Sequence, residues 1–87
     1  MLHLRDLCCF IEVYELRSFT RAAASLGTVQ SLVSSRIQRL EESTGASLFL
    51  RLHRGVVATK KGELLYPHAK RLIREIDALE SALRLDG

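Results

Sequence analysis

Gln30, Ser31, Ser34, Ser35 and Gln38 are the residues whose types and spacing could do chemistry. They lie in "TVQSLVSSRIQRLE", residues 28–41, where Val29, Val33, Ile37 and Leu40 fall on one helical face, as core packing requires. The five polar residues span the other side, an arc of about 140° at about 100° per residue. This face offers short hydroxyls and amides and none of the Glu and Lys that a merely solvated face favours. Short donors and acceptors let a helix backbone sit deep in a groove lined with hydrogen-bonding edges. In a DNA major groove, Gln30 suits an adenine edge, and the serines suit bases or phosphates. Arg39 flanks the polar arc and is the better placed arginine for a phosphate. Arg36 falls beside the apolar arc and is expected to pack its stem or pair with a carboxylate.

No other constellation carries chemistry. His3, His53 and His68 are far apart, and no Ser/Cys–His or paired-carboxylate arrangement has the spacing of a catalytic motif. Glu41, Glu42, Glu75, Asp77 and Glu80 read as helix surface. The expectation is no enzyme, no metal and no cofactor. Cys8 and Cys9 are adjacent, which disfavours a disulfide between them, and nothing points to a lowered thiol pKa. The 87 residues make one domain with a small core that can need a partner for stability. The net charge of +3 is compatible with a polyanionic partner without demanding one. No apolar run approaches the ~18 residues of a transmembrane helix. The N-terminus lacks a signal-peptide pattern, so a cytoplasmic, nucleoid-associated protein is expected.

The elements that position the polar face follow from periodicity and punctuation. Leu4, Leu7, Cys8, Ile11 and Tyr14 predict a helix over about 4–16. Ser18 or Thr20 can cap a short second helix, "TRAAASLG", whose alanines allow close helix approach and which Gly27 ends. Thr28 is expected to open the third helix and Gly45 to close it. Two short helices around a tight Gly-containing turn match a helix-turn-helix. Ser47–Arg51 and Val56–Thr59 read as strands around the tip "LHRG", a wing that must pack through Leu48, Phe49 or Leu50. Thr59 can cap a last, long helix that Pro67 should kink or split. Along it, Leu65, Ala69, Leu72, Ile76, Leu79 and Leu83 are separated alternately by four and three residues, the heptad rhythm of helix pairing. The division expected is a winged helix-turn-helix over 1–58 and a linker or dimerisation helix over 59–87. The fold class is mainly α.

The run "SFTRAAASLGTVQSLVSSRIQRLEESTGASLFLR" resembles the N-terminal DNA-binding domain of LysR-type transcriptional regulators. The features are Ala22-Ala23, Leu26, Gln30, Ser34, Ile37, Leu40-Glu41, Gly45, Leu48-Phe49 and Arg51, and "RGVVATKKGELLYPHAKRLI" continues the match into the linker helix. The resemblance implies sequence-specific regulation of transcription in bacteria by a homodimer. It also implies antiparallel pairing of the long helices, an interrupted palindromic DNA site, and higher oligomers in a full-length form. A small-molecule effector enters only with the family's C-terminal effector-binding domain, which these residues do not include. Val29 stands where the family usually has Ser or Thr, Ser31 where Pro is commonest, Ser35 where Arg is frequent, and Lys60-Lys61 where Pro-Ala is usual.

Around the polar face, Thr20 and Arg21 open the second helix, whose free N–H groups suit a phosphate. Arg51 is a further phosphate candidate. Arg54 at the wing tip suits a narrow minor groove. The competing class is a coiled-coil interaction module with incidental basic charge, which accounts for the last helix but not for the wing or the polar face.

Overall fold

A computed structural model describes residues 1–86 and contains, in order, α1 (Leu4–Leu16), α2 (Phe19–Leu26), α3 (Gln30–Thr44), β1 (Phe49–Leu52), β2 (Gly55–Ala58) and α4 (Lys60–Asp86). Gly87, the last residue of the expected linker span, lies outside the described residues.

Helices α1, α2 and α3 pack on one another around Leu7, Phe10, Val13, Phe19, Ala22, Ala23, Val33, Ile37 and Leu40, all buried. Ala22 and Ala23 carry too little bulk to hold the helices apart, which is what a tight helix-turn-helix needs. Ser18 caps α2 by accepting the Arg21 N–H at 3.0 Å. Gly27, at φ 68°, closes α2, where the Thr28 N–H donates to the Ala23 carbonyl at 2.9 Å. Thr28 therefore finishes the turn and does not cap α3, which corrects the expected start of that helix. Val29 is the N-cap of α3, with no side-chain hydrogen bond, and it is 64% exposed. Its predicted place on the apolar face fails because it stands before the first helical turn, where the 100° periodicity does not apply.

The hairpin is antiparallel, with Phe49 paired to Ala58 and Leu52 to Gly55. Of the three residues predicted to anchor it, Leu48 and Phe49 are buried and Leu50 is exposed. Glu41 accepts the Leu48 N–H at 2.7 Å, fixing the exit from α3. The wing also docks on the α1–α2 corner, where Arg17 takes the left-handed conformation (φ 55°) and its carbonyl accepts the Val56 N–H at 3.3 Å.

Thr59 caps α4 as predicted, accepting the Gly62 N–H at 3.1 Å while its hydroxyl donates to the Ser47 carbonyl at 2.6 Å. A Cβ on Gly62 would stand 2.3 Å from the Leu48 carbonyl oxygen, so the first turn of α4 lies against the backbone leading into β1. Helix α4 runs unbroken through Pro67 for 27 residues, roughly 40 Å. Its first half belongs to the same core as the helix-turn-helix: Ala69 is fully buried, and Leu65, Tyr66 and Ile73 pack against the core. Leu65 and Ala69 were expected in an intermolecular seam. They instead face their own chain, because α1 lies alongside this half of α4 and the small Ala69 lets it approach. Leu72, Leu79 and Leu83 remain 47%, 58% and 64% exposed, and Ile76 is half-buried.

Candidate nucleic-acid interface

Helix α3 presents Gln30, Ser31, Ser35 and Gln38 to solvent, with Ser34 half-buried between them. Val33, Ile37 and Leu40 on the reverse face are buried to 3% or less, so the helix is held from behind and its polar side is left open. Gln30 is the first residue of the helix. The Thr20 hydroxyl donates to Gln30 Oε1 at 3.0 Å, joining the first turns of α2 and α3. That bond holds the Gln30 carboxamide by its oxygen and leaves its NH2 group directed elsewhere. The Gln30 and Ser31 N–H groups begin a helix that lacks a polar cap, so that end of α3 carries free donors.

Ser34 and Gln38 line a shallow cleft with Phe19, Glu41, Phe49 and Arg51, where α3 meets the wing. The Arg51 guanidinium lies 4.1 Å from the centre of the Phe19 ring. This cation–π contact orders the guanidinium at the edge of the polar face without spending its hydrogen-bond donors. Arg54 and His53 are exposed in the hairpin turn, with Gly55 (φ 134°) behind them. A Cβ at Gly55 would stand 2.9 Å from the Arg17 carbonyl, so the wing tip approaches the body closely at that point. Arg21 is exposed at the start of α2, and its N–H is already used by the Ser18 cap.

Of the two arginines of α3, Arg39 departs from the place expected of it and Arg36 keeps to it. Arg39 Nε and Nη2 donate to the two carboxylate oxygens of Asp6, each at 2.8 Å. Asp6 is 1% exposed, so this fork satisfies a buried carboxylate of α1 and ties α1 to α3. The fork turned towards Asp6 is not free for a phosphate. Arg36 packs half-buried against α1 beside the Cys9 thiol, in agreement with the expected stem packing. Burial pushes both the Cys8 and Cys9 thiols up, so neither is activated. The Asp6–Arg39 pair was missed because a helix wheel shows where Arg39 leaves α3 but not which element packs across it. Among the described residues, no group of three or more His, Cys, Asp and Glu could hold a metal ion, and no helix is long and apolar enough to cross a membrane.

The geometry has recognisable relatives. A family model described as "Bacterial regulatory helix-turn-helix protein, lysR family" matches residues 4–63. The HTH-type transcriptional regulator PtxR of Pseudomonas aeruginosa is 41% identical over 83 residues, covering 95% of this chain and 27% of that protein. The HTH-type transcriptional regulator BudR of Klebsiella aerogenes is 46% identical over 82 residues, covering 93% of this chain and 57% of that protein. The chain thus spans only part of the length of the curated relatives it matches. Among solved structures, the BenM_DBD/catB site 1 DNA complex superposes with a TM-score of 0.90 at 38% identity, covering 94% of this chain and 92% of that chain. Full-length CbnR complexed with its target DNA superposes at 0.89 with 29% identity, covering 94% of this chain and 28% of that one. The chain belongs to the LysR family of bacterial regulatory helix-turn-helix proteins, and it is the winged helix-turn-helix DNA-binding domain of that family.

Proposed function

We propose that this chain binds double-stranded DNA sequence-specifically as a homodimer, in the service of transcriptional regulation, with each partner placing α3 in a major groove. The observation that carries the reading is the uncharged, exposed polar face of α3, backed by buried Val33, Ile37 and Leu40. Gln30, Ser31, Ser34, Ser35 and Gln38 read base edges. Thr20 presets the Gln30 carboxamide from α2. Arg21, Arg51 and the free N–H groups at the start of α3 hold phosphates. Arg54 reaches the adjacent minor groove from the wing tip. The DNA complexes of the similar BenM and CbnR structures support DNA as the partner by analogy of fold. The exposed leucines of distal α4 supply the dimer seam, which makes two identical recognition helices and hence a two-fold symmetric site. A small-molecule effector belongs to the reading only where a longer form of the protein carries an effector domain.

Affinity measured against salt tests it. Three or four phosphate contacts per protomer neutralise roughly 6–8 phosphates per dimer, so log K should fall with log[salt] at a slope of about −5 to −7. A slope near zero removes DNA as the partner and leaves an interaction module whose charge is incidental.

A further inference from the structure

Tyr14 of α1 and Tyr66 of α4 stack face to face, with ring centroids 3.8 Å apart and planes 11° from parallel. Each hydroxyl crosses to a carboxylate on the other helix. Tyr14 donates to Glu63 at 2.7 Å, and Tyr66 donates to Glu15. Lys70, one turn further along α4, also reaches Glu15, at 3.3 Å. Nothing in base reading uses these residues, and they lie outside the polar face.

Their position along α4 gives them a use. Pro67 sits inside α4, where it has no N–H to offer the Glu63 carbonyl. A helix that lacks this bond bends most easily at that turn. Glu63, Tyr66 and Lys70 bracket the weak turn, and all three are tied to α1. Beyond it, Ala69 and Ile73 still pack on the body, and the helix then projects to residue 86, whose end lies about 29 Å from Pro67. A swing of roughly 10° at the weak turn displaces the far end by about 5 Å, more than the ~3.4 Å rise of one base pair. The far end carries the exposed leucines of the seam, so this angle fixes how far apart two recognition helices stand.

We propose that the Tyr14–Tyr66 stack, with its crossed bonds to Glu63 and Glu15 around Pro67, sets the angle between the DNA-binding body and distal α4 and so selects the spacing between half-sites. Tyr14, Glu15, Glu63 and Tyr66 are positioning residues: they act on spacing through the lever and touch no base. The inference rests on the dimer reading above.

The test is binding of the wild-type protein, Tyr66→Phe, Tyr66→Ala and Tyr66→Ala/Pro67→Ala to duplexes carrying one half-site, or two half-sites separated by a graded series of base-pair inserts. The wild type should prefer one spacing at least tenfold over its neighbours two base pairs away. Tyr66→Phe keeps the stack and loses one crossed bond, so it should fold, and its preference should fall about two- to threefold. Tyr66→Ala should bind all spacings within about threefold of one another, with base preference inside the half-site unchanged. Restoring the helical bond with Pro67→Ala in that background should bring back a spacing preference, at the original spacing or a shifted one. A merely structural role lowers affinity equally at every spacing. That result, or a folded Tyr66→Phe with the full wild-type preference, overturns the inference. A wild type that binds single and paired half-sites alike overturns the dimer reading, and this inference with it. A wild type with a sharp optimum and variants that keep it overturns the inference alone.

Discussion

Leu79→Asp is the sharpest perturbation of the assembly. Leu72, Leu79 and Leu83 are 47%, 58% and 64% exposed in the single chain. Burying a leucine fully contributes about 1.5–3 kcal/mol, so covering the exposed parts of these three contributes roughly 2.5–5 kcal/mol per protomer. Two-fold symmetry doubles this to about 5–10 kcal/mol. Association itself costs on the order of 4–15 kcal/mol, so the seam holds a dimer with little surplus. Leu79→Asp removes about 1–2 kcal/mol of that burial from each chain. It also places an unpaired carboxylate in the seam, at a further few kcal/mol per chain. At about 1.4 kcal/mol per tenfold, the dimer dissociation constant should rise at least a thousandfold. Leu79 lies in the distal half of α4, clear of the core cluster, so the variant should fold as a monomer with wild-type helix content. Sedimentation velocity at micromolar concentration reads the outcome, with circular dichroism as the control for folding. A variant that sediments as a dimer refutes the reasoning and places the interface elsewhere.

Three further outcomes follow from single contacts. Gly62→Ala gains helix propensity of about 1 kcal/mol but drives a methyl into the Leu48 carbonyl 2.3 Å away. Backbone cannot yield as a side-chain tip does, so a net loss of about 2 kcal/mol is expected, read as a lower midpoint in urea; an unchanged midpoint contradicts the close approach of α4 to the wing. Val29→Thr supplies the missing cap of α3 and should stabilise by about 1 kcal/mol, raising Tm by roughly 4–8 °C; no gain means that the α3 N–H groups already have a partner. The Tyr66–Glu15 bond gives stability two pH limits. The Tyr66 hydroxyl, bonded to Glu15, is pushed up to about 12, so its contribution is complete below the usual tyrosine range and is lost as pH rises through about 12. Glu15, bonded by the Tyr66 hydroxyl, is held below its ordinary value, so its contribution is present above the usual carboxylate range and is lost as pH falls through the lowered value. Tyr66→Phe should shrink both limbs of the pH–stability curve measured by denaturant unfolding, leaving the part of the acid limb that Lys70 holds on Glu15 and the part of the alkaline limb that Glu63 holds on Tyr14; an unaltered curve refutes the assignment.

Elements that depend on local chemistry were legible before any coordinates. Gly27 and Gly45 end α2 and α3 in left-handed conformations, and Thr59 caps α4, because turn and cap signals are carried by single residues. The polar face of α3 was legible because it is a periodicity within one helix. What crosses between elements was not. Val29 reads as apolar and in phase, yet the chain enters the helix only after it. Arg39 sits on the margin of the polar arc, and only the packing of α1 across α3 turns its guanidinium towards Asp6. Leu65 and Ala69 keep heptad phase with Leu72 and Leu79, but the heptad does not say where a helix stops packing on its own chain and starts facing another. The Tyr14–Tyr66 stack joins positions 49 to 52 residues away from their carboxylates or each other, a pairing that no local pattern encodes.

The central claim is that α3 reads base edges while the wing holds the duplex. The direct measurement is the affinity of Gln30→Ala and Arg54→Ala for a selected operator and for a scrambled duplex of the same length. Gln30→Ala should lose about 1–3 kcal/mol on the operator and little on the scrambled duplex, relaxing preference at one base pair in each half-site. Arg54→Ala should weaken binding to both and lower the salt slope. If Gln30→Ala weakens both duplexes equally while Arg54→Ala abolishes discrimination, the reading belongs to the wing and the account of α3 is wrong.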